Sequence, residues 1–378
     1  MSQATLRIGL IGAGANMRTR HIPGFKGVPG VEIVAVCNRR PGSTAAVARE
    51  YGIGRTYERW QDVVADRDVD AVVIGTWPYL HCPVALAAMA AGKHVLTEAR
   101  MSLNAAEAHE MRAAARRHPE LVTQVVPSPY GLKGHRVMTR LLESGHLGEL
   151  REVLVYGLSA HLADAAAPLS WRQDAALSGF NMLNLGILHE TLLRWAPPPV
   201  RVLAQVHAFV ASRIDPASGV RRAVGTPDSV QVLAVLENGA RAVYQISGVT
   251  PFGQAMGICM HGTEGSLHYD LLHDRIRGAG RHQAKDVGGA AAEMSEIPIP
   301  QDQAMSWRVE ADFVEGIRGG SRPLLTDFDT GVAYMEFTEA VARSAQRGEA
   351  IELPLEEFRT EQDDESEALS QASSGPAN

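Results

Sequence analysis

Short, continuous apolar segments alternate with alanine-rich stretches over the first third of the chain. The apolar segments predict strands at residues 6–11, 31–37, 71–74, 94–96 and 121–126, and the stretches between them predict helices at 43–51, 83–91 and 104–118. Apolar strands without polar alternation are typical of a sheet covered on both faces, and strands that alternate with helices indicate right-handed β–α–β units. The pattern therefore predicts a parallel α/β domain over residues 1–126.

The pattern changes in the second half of the chain. A predicted helix at 134–144 precedes strand-like segments at 152–156, 202–210, 229–237, 241–247, 257–261 and 266–269, and further helices are predicted at 305–318 and 330–347. Asn238 and Gly239 separate two of these strands and are typical of a tight hairpin turn. Consecutive strands predict a large, mainly antiparallel open sheet in an α+β domain over residues 127–359. Residues 360–378 are rich in Glu, Asp and Ser, and we expect a disordered tail.

Composition and charge exclude several classes of function. The formal net charge of −7 and the lack of a basic stripe argue against nucleic acid or a membrane as a partner. Cys37, Cys82 and Cys259 lie far apart and belong to no Cys/His cluster, so we expect no metal site and a reducing, cytoplasmic location. We identify no signal peptide, and no apolar run reaches the ~20 residues of a membrane span.

A glycine turn follows the first predicted strand. Gly12 and Gly14 allow the backbone to approach a dinucleotide diphosphate, and Ala15, Asn16 and Met17 begin a helix whose N-terminus attracts anions. Met17 occupies the position where the usual fingerprint has a third small residue. A turn at the first strand–helix junction of an alternating pattern indicates a Rossmann nucleotide site, and a merely tight turn is the alternative.

The end of the second predicted strand bears on cofactor preference. NAD-preferring sites usually place a carboxylate there to bind the ribose 2′-hydroxyl, whereas this chain has Asn38, Arg39 and Arg40. Two guanidinium groups suit a 2′-phosphate. We therefore expect NADP as the preferred cofactor, with NAD as the alternative.

Further cofactor contacts are predicted at the carboxyl edge of the sheet, where ligands of open α/β sheets bind. Thr76, Trp77, Pro78 and His81 follow one buried strand, and Glu98 follows the next. We expect the first four residues to contact the cofactor, and Glu98 to bond near the nicotinamide ribose.

Several segments together carry a resemblance to a known family, at residues 72–76, 80–81, 91–98, 103–108, 144–149, 312–318 and 351–354. They resemble the glucose–fructose oxidoreductase / inositol dehydrogenase / MocA (Gfo/Idh/MocA) family, from about Leu6 to Pro354. The resemblance implies a Rossmann domain followed by a sheet domain for substrate binding and oligomer contacts. It also implies a nicotinamide cofactor and a small sugar, cyclitol or related polyol substrate. We expect a homodimer or homotetramer, because open apolar sheet faces associate.

The chain departs from this family at its catalytic signature. The Glu-Lys-Pro of the family reads Glu98, Ala99 and Arg100 here, so the catalytic lysine that the resemblance implies is absent. Hydride transfer to or from a C–OH carbon needs a proton partner. The resemblance also implies a Gly-x-His-x-x-Asp motif in the second domain. When the chain is aligned on Leu192–Trp195, the histidine position holds Leu188 and the aspartate position holds Thr191, and His189 follows Leu188 by one residue.

These departures leave three interpretations open. An oxidoreductase could use His189, Tyr130 or a bound water as its proton partner, with Arg100 fixing an acidic substrate. Alternatively, transient oxidation could serve a lyase, epimerase or glycoside-cleaving reaction, or the chain could be an inactive nucleotide-binding regulator. The oxidoreductase interpretation is the one we carry forward, with substrate contacts predicted at Arg100, Tyr130, Trp171, Arg172, Asn184 and His189.

Overall fold

The first part of the chain forms a parallel six-stranded sheet with helices on both faces. The computed structural model describes residues 4–280, 293–320 and 324–359, so the predicted disorder of 360–378 lies outside the described residues. The strands are β1 (Leu6–Ile11), β2 (Val31–Cys37), β3 (Arg55–Tyr57), β4 (Ala71–Ile74), β5 (His94–Thr97) and β6 (Thr123–Val125). Their order in the sheet is β3-β2-β1-β4-β5-β6, which confirms the predicted Rossmann fold.

The helices of this sheet begin and end for local reasons. They are α1 (Ile22–Lys26), α2 (Pro41–Tyr51), α3 (Trp60–Ala65), α4 (His81–Ala90) and α5 (Ala105–Arg117). The Asn104 side chain caps α5 by accepting from the Glu107 amide, and Gly52 ends α2 in the left-handed conformation that glycine adopts at low cost. Strand β3 and helix α3 are absent from the sequence prediction because each is short and only weakly apolar.

The second domain is built on a nine-stranded sheet. Its strands are β7 (Leu150–Leu158), β8 (Pro199–His207), β11 (Ser229–Leu236), β12 (Arg241–Ser247), β13 (Ala255–Gly262), β14 (Gly265–Asp270), β15 (Arg275–Gly280), β16 (Ser295–Ile297) and β17 (Ile351–Glu352). A separate hairpin joins β9 (Ser212–Ile214) and β10 (Arg221–Ala223). The order is β16-β15-β14-β13-β7-β12-β11-β8-β17, antiparallel except between β7 and β12. The predicted mainly antiparallel sheet is confirmed.

One face of this sheet packs on helices. Side chains of β8, β11 and β12 alternate between buried and exposed, so the residues of one face form the domain core. The helices of the second half are α6 (His135–Glu143), α7 (Ala175–Ser178), α8 (Leu185–Leu193), α9 (Val309–Ile317) and α10 (Phe328–Arg347). Helices α8 and α10 lie against the buried face.

The last two helices also pack on the Rossmann domain. Phe313 of α9 is fully buried and meets Phe25 of α1 edge to face, with ring centroids 6.4 Å apart. Phe328, Val332 and Met335 of α10 join the apolar cluster formed by α4 and α5. The Rossmann core is thus completed by residues from beyond the predicted boundary at 126/127, and that boundary stays a prediction.

We predict that Phe313→Ala destabilises the protein by about 3–5 kcal/mol, because it removes a buried ring and leaves a cavity between α1 and α9. Phe252→Ala is the matched control, since that ring is fully exposed. Chemical denaturation followed by tryptophan fluorescence measures both variants. Equal stability of the two variants would contradict the packing of α9 on the Rossmann core.

Candidate active site between the two domains

The turn after β1 has the shape of a diphosphate cradle. Gly12 has a φ of +87°, and a Cβ added there would lie 2.6 Å from the Thr76 amide nitrogen. The Asn38 side chain closes the turn by accepting from the Ala13 amide at 2.6 Å. A Cβ at Gly14, in contrast, would meet no atom within 4 Å. The turn is therefore tightly packed at Gly12 and open at Gly14. Since it also lies at the start of a helix, it fits a dinucleotide diphosphate.

Met17 is accommodated by a glycine elsewhere in the chain. Its side chain is buried, and its Cε lies 2.6 Å from where a Cβ of Gly75 would be. Gly75 follows β4 and has no side chain. The space that the Met17 side chain needs is therefore left by Gly75, although the turn has no third small residue. The departure from the fingerprint at Met17 is therefore compatible with close packing of helix on sheet.

A buried ionic cluster lies beside this turn. The His21 ring is fully buried, with Nε2 3.0 Å from Glu98 Oε1 and Nδ1 2.6 Å from Glu310 Oε1. Burial opposes the charge, but the close contacts with the carboxylates of Glu310 and Glu98 outweigh it and raise the pKa of His21 to about 9. Glu98 also accepts from the Asn16 side chain. His21 holds the pKa of Glu98 below its usual value despite burial, so the cluster is charged at neutral pH.

His81 is a positioning residue at the same edge. Its ring nitrogens lie 2.8 Å from the Arg100 carbonyl oxygen and 3.0 Å from the Thr76 carbonyl oxygen, and burial lowers its pKa. The ring thereby connects the segment after β4 with the segment after β5. The predicted cofactor contact of His81 stays a prediction.

Aromatic and guanidinium groups stack across the two domains. The Arg39 guanidinium lies 4.6 Å from the ring centroid of Trp77, and Trp77 stacks on Trp171 with centroids 5.7 Å apart. The Arg172 guanidinium lies 4.4 Å from the ring of Trp171. Arg40 is exposed just before α2. Arg39 and Trp77 therefore reach from the nucleotide end of the sheet to the second domain.

A cavity of about 470 Å³ lies between the domains. The structure brings together five residues that the sequence singled out, and these cavity-lining residues are Pro78, Arg100, Trp171, Arg172 and Asn184. Ala99, at the position of the missing lysine, lines it as well. The volume suits a small molecule, and the cavity opens at the carboxyl edge of the Rossmann sheet.

His189 does not reach this cavity. Its ring is buried, stacked on Phe337 with centroids 3.7 Å apart, and its Nδ1 lies 2.9 Å from the Tyr244 hydroxyl. Burial lowers the pKa of His189 to about 3. The adjacent residue Glu190 lines the cavity instead, because one residue turns the helix by about 100°. The expected proton-partner and substrate roles of His189 are therefore not supported by its position.

Tyr130, the other predicted proton partner, is also placed elsewhere. Its side chain packs at the margin of the second-domain core and is not among the cavity-lining residues of the described chain. Its carbonyl oxygen accepts from the Arg194 guanidinium at 3.1 Å. Arg194 forms a buried bidentate pair with Glu190, at 2.9 and 2.8 Å, so it holds the segment after β6 rather than a ligand.

His161 is a cavity-lining residue that sequence reasoning missed. It follows β7 in a loop with no motif, and no sequence signal distinguishes it from a surface histidine. Its Nδ1 lies 2.6 Å from Ser159 Oγ, and Ser159 Oγ donates to the Ser247 carbonyl oxygen at 3.3 Å. His161 is exposed to solvent, but partial desolvation of its ring, and then the charge of Arg172, lowers its pKa.

Two other kinds of site are absent from the described residues. They contain no group of three or more His, Cys, Asp or Glu side chains placed to hold a metal ion. None of the helices within 4–280, 293–320 and 324–359 is long and apolar enough to cross a membrane.

Comparisons with known proteins identify the family of the chain. A family model described as an oxidoreductase family with an NAD-binding Rossmann fold matches residues 6–125, and the GFO/IDH/MocA C-terminal domain model matches residues 135–268. The chain is 28% identical over 358 residues to 1,5-anhydro-D-fructose reductase of Ensifer adhaerens, covering 92% of this chain and 98% of that protein.

Levoglucosan dehydrogenase is similar in both sequence and fold. The enzyme of Pseudarthrobacter phenanthrenivorans is 24% identical over 396 residues, covering 92% of this chain and 98% of that protein. A solved structure of levoglucosan dehydrogenase with NADH and L-sorbose has a TM-score of 0.79 at 21% identity, covering 93% of this chain and 100% of that chain. The protein is thus a member of the Gfo/Idh/MocA family, an oxidoreductase family with an NAD-binding Rossmann fold.

Proposed function

We propose that this protein transfers a hydride between a nicotinamide dinucleotide and a carbon of a small polyhydroxylated substrate held in the interdomain cavity. The observation that carries the proposal is the position of the cavity, which meets the segment after β5 at Ala99 and Arg100 and is closed by Trp171 and Arg172 from the second domain. Relatives named as a reductase of 1,5-anhydro-D-fructose and a dehydrogenase of levoglucosan support a sugar-like substrate.

The bound dinucleotide would supply the hydride acceptor or donor. The backbone from Gly12 to Asn16 would hold its diphosphate, and Glu98 lies beside that turn through its bond to Asn16. Thr76 Oγ1 is buried without a partner in the described protein, next to Gly12, and it is available to a ligand there. These residues orient the cofactor, while the proton must be moved by a side chain of the cavity.

His161 is the proton partner that we propose. The arginines of the cavity keep their protons, and Glu190 is neutralised by Arg194. The Tyr334 hydroxyl accepts from the Met101 amide at 2.6 Å, and burial raises its pKa. Histidine is the remaining group lining the cavity that exchanges a proton near neutral pH.

The hydrogen bond between His161 and Ser159 determines which ring nitrogen of His161 transfers the proton. Because Ser159 Oγ donates to the Ser247 carbonyl oxygen, it accepts from Nδ1–H of His161. The lone pair then lies on Nε2, which acts as general base when a substrate hydroxyl is oxidised and as general acid, once protonated, when a carbonyl is reduced. Ser159 is a positioning residue that selects this tautomer.

We also propose NADP as the preferred cofactor. Arg39 and Arg40 follow β2 at the start of α2, and Arg39 is held over Trp77 at the carboxyl edge of the sheet. Neither arginine is paired with a carboxylate in the described residues. A cationic pair at the ribose end favours a cofactor with a 2′-phosphate over one without it.

A homo-oligomer formed through the open sheet face is the further part of this proposal. Leu203, Leu233, Val243 and Leu154 are direct neighbours on β8, β11, β12 and β7, and all four are exposed. We call this row the apolar stripe. A second copy of the chain would cover it, as a dimer or tetramer.

We also propose that the protein acts in the reducing cytoplasm. The free thiols of Cys37, Cys82 and Cys259 support this location.

The first test concerns the reaction and His161. We predict that a screen of sugars, polyols and sugar acids finds a substrate that changes the absorbance of the reduced cofactor. With that substrate, His161→Gln lowers kcat about 10²–10⁴-fold while cofactor affinity is unchanged. His273→Gln, an exposed histidine on the β14–β15 turn, is the control.

The pH dependence sharpens this test. Oxidation needs neutral His161, whose pKa lies below its ordinary value, so the rate of oxidation rises with pH in the acidic range and is level from neutral pH upward. His161→Gln abolishes that rise. An unchanged profile in the variant assigns the proton transfer to another group, and cofactor binding without redox change on any substrate contradicts the proposed reaction.

The second test concerns cofactor preference. Arg39→Ala is expected to weaken NADP binding about ten- to hundredfold by removing a charge-assisted hydrogen bond, with NAD binding almost unchanged. Arg49→Ala, on the exposed side of the same helix α2, is the control. Calorimetric titration with both dinucleotides measures the ratio. A wild-type preference for NAD, or an equal loss for both cofactors, is the result that would count against NADP.

The third test concerns the apolar stripe. Leu233 is 57% exposed at its centre, and Leu233→Glu should convert the oligomer to a monomer by placing a charge in the interface. Leu272→Glu is the control, because that exposed leucine lies in the turn before β15. Analytical ultracentrifugation measures the mass of each species. A monomeric wild-type protein would show that the stripe is not covered by a second copy.

A further inference from the structure

The walls of the interdomain cavity carry an excess of positive charge. Among its described lining residues, the guanidinium groups are those of Arg100, Arg172 and Arg213, and the carboxylate is that of Glu190. Glu190 is neutralised by Arg194, so none of its charge is left for the other arginines. Three cations therefore line a small cavity, and none of them has a carboxylate of the described residues within 4 Å, although Glu98 acts on Arg172 from a longer distance.

Arg100 is held in place entirely by neutral acceptors. Its Nη1 donates to the Ser178 carbonyl oxygen at 2.7 Å, and its Nη2 donates to Asn181 Oδ1 at 2.7 Å. No carboxylate oxygen of the described residues lies within 4 Å of it. Burial lowers the pKa of Arg100 to about 10, and the nearby charge of Arg172 acts in the same direction. The guanidinium is thus fixed where its charge is poorly compensated.

Arg172 faces the same cavity from the second domain. The Asn181 side chain links the two arginines, because its Nδ2 donates to the Arg172 carbonyl oxygen at 2.8 Å while its Oδ1 accepts from Arg100. The Arg172 guanidinium lies over Trp171 and has no carboxylate within 4 Å in the described chain. The Asn181 amide therefore holds the two positively charged arginines at the same cavity.

Arg213 adds a third, structural cation. It is 1% exposed, and its guanidinium donates to the carbonyl oxygens of Leu162, Asp164 and Ala167. These bonds hold the loop that contains His161, and no carboxylate of the described residues pairs with the guanidinium. Arg213 thus raises the potential of the cavity while Arg100 and Arg172 are placed to contact a ligand.

Collecting unpaired cations in a partly buried cavity is unfavourable for the protein alone, because desolvation and mutual repulsion both oppose it. An anionic ligand reverses both effects. A planar guanidinium matches a carboxylate with two parallel N–H···O bonds, and the cavity volume of about 470 Å³ fits a small molecule.

We propose that the substrate is a polyhydroxylated carboxylic acid, whose carboxylate binds between Arg100 and Arg172 while its reacting hydroxyl faces Ala99 and His161. This inference rests on the proposed hydride transfer for its reaction, but its evidence is the charge of the cavity. The two arginines belong to different domains, so the carboxylate also joins the walls of the cleft. Because Ala99 is smaller than a lysine, it leaves space in the cavity for the substrate. The positive charges that contact the carboxylate come from Arg100 and Arg172, which do not exchange protons.

The experiment measures binding and not turnover. Purified protein saturated with reduced cofactor is titrated calorimetrically with matched pairs of aldose and sugar acid: D-glucose against D-gluconate and D-glucuronate, and D-galactose against D-galactonate and D-galacturonate. Glucose 6-phosphate tests whether another anion serves as well. We expect at least one carboxylate to bind at least tenfold more tightly than its neutral parent, with an affinity that falls as salt increases.

Variants separate charge from structure. Arg172→Gln should weaken the carboxylate about ten- to hundredfold and leave the neutral parent unchanged, while Arg172→Lys recovers part of the loss. Arg201→Gln, an exposed arginine on β8, is the control. Equal affinity for acid and parent, no binding by any carboxylate, tighter binding of the phosphate, or an Arg172→Gln variant with full affinity each overturns the inference.

The readouts also keep the two proposals apart. Cofactor oxidation with neutral sugars alone would leave the proposed hydride transfer standing and remove the acidic substrate. Carboxylate binding that is lost in Arg172→Gln, without any change in cofactor absorbance, would support the anion site and contradict hydride transfer.

Discussion

The buried imidazolium of His21 is the interaction on which the site depends. It lies between the carboxylates of Glu98 and Glu310, and so joins the helix after β1, the end of β5 and the start of α9. Removing any one of the three would leave a buried charge without its partner, which is far more costly than the loss of a surface ion pair. Since Glu98 also accepts from Asn16, the diphosphate turn is positioned by a helix from near the end of the chain.

The same coupling recurs on the other side of the cleft. The stack from Arg39 through Trp77 and Trp171 to Arg172 connects the nucleotide end of the Rossmann sheet with a loop of the second domain. His81 connects the segments after β4 and β5 through their carbonyl oxygens. The proposed cofactor site and the proposed substrate cavity are thus parts of one packed structure, and a ligand in either would contact groups held by the other.

The proposed chemistry of the cavity assigns to separate groups two tasks that a single lysine can combine. A lysine supplies positive charge and also exchanges a proton, whereas arginine supplies charge only. In the arrangement proposed here, Arg100 and Arg172 attract and orient the substrate and His161 moves the proton. The guanidinium groups stay charged, whereas the pKa of His161 is lowered by desolvation and by the charge of Arg172, so its ring is free to accept a proton at neutral pH.

The sequence by itself determined the Rossmann strands, the glycine turn, the open sheet and the absence of a lysine at position 99. These features depend on periodicity and turn chemistry within a few residues, which the order of residues encodes directly. Even there, β3 and α3 were too short to stand out, and Met17 looked unfavourable because Gly75 lies on another strand.

Only the tertiary structure decided which side chains share the cavity. A rotation of about 100° per residue places Glu190 in the cavity and His189 in the core, a difference that no local pattern reveals. Arg213 meets the loop of His161 only when the second domain folds, and Glu310 meets His21 only when α9 packs on the Rossmann domain. Their roles depend on burial and on partners far away in sequence, because the charge and pKa of a side chain are set by its surroundings rather than by its neighbours along the chain.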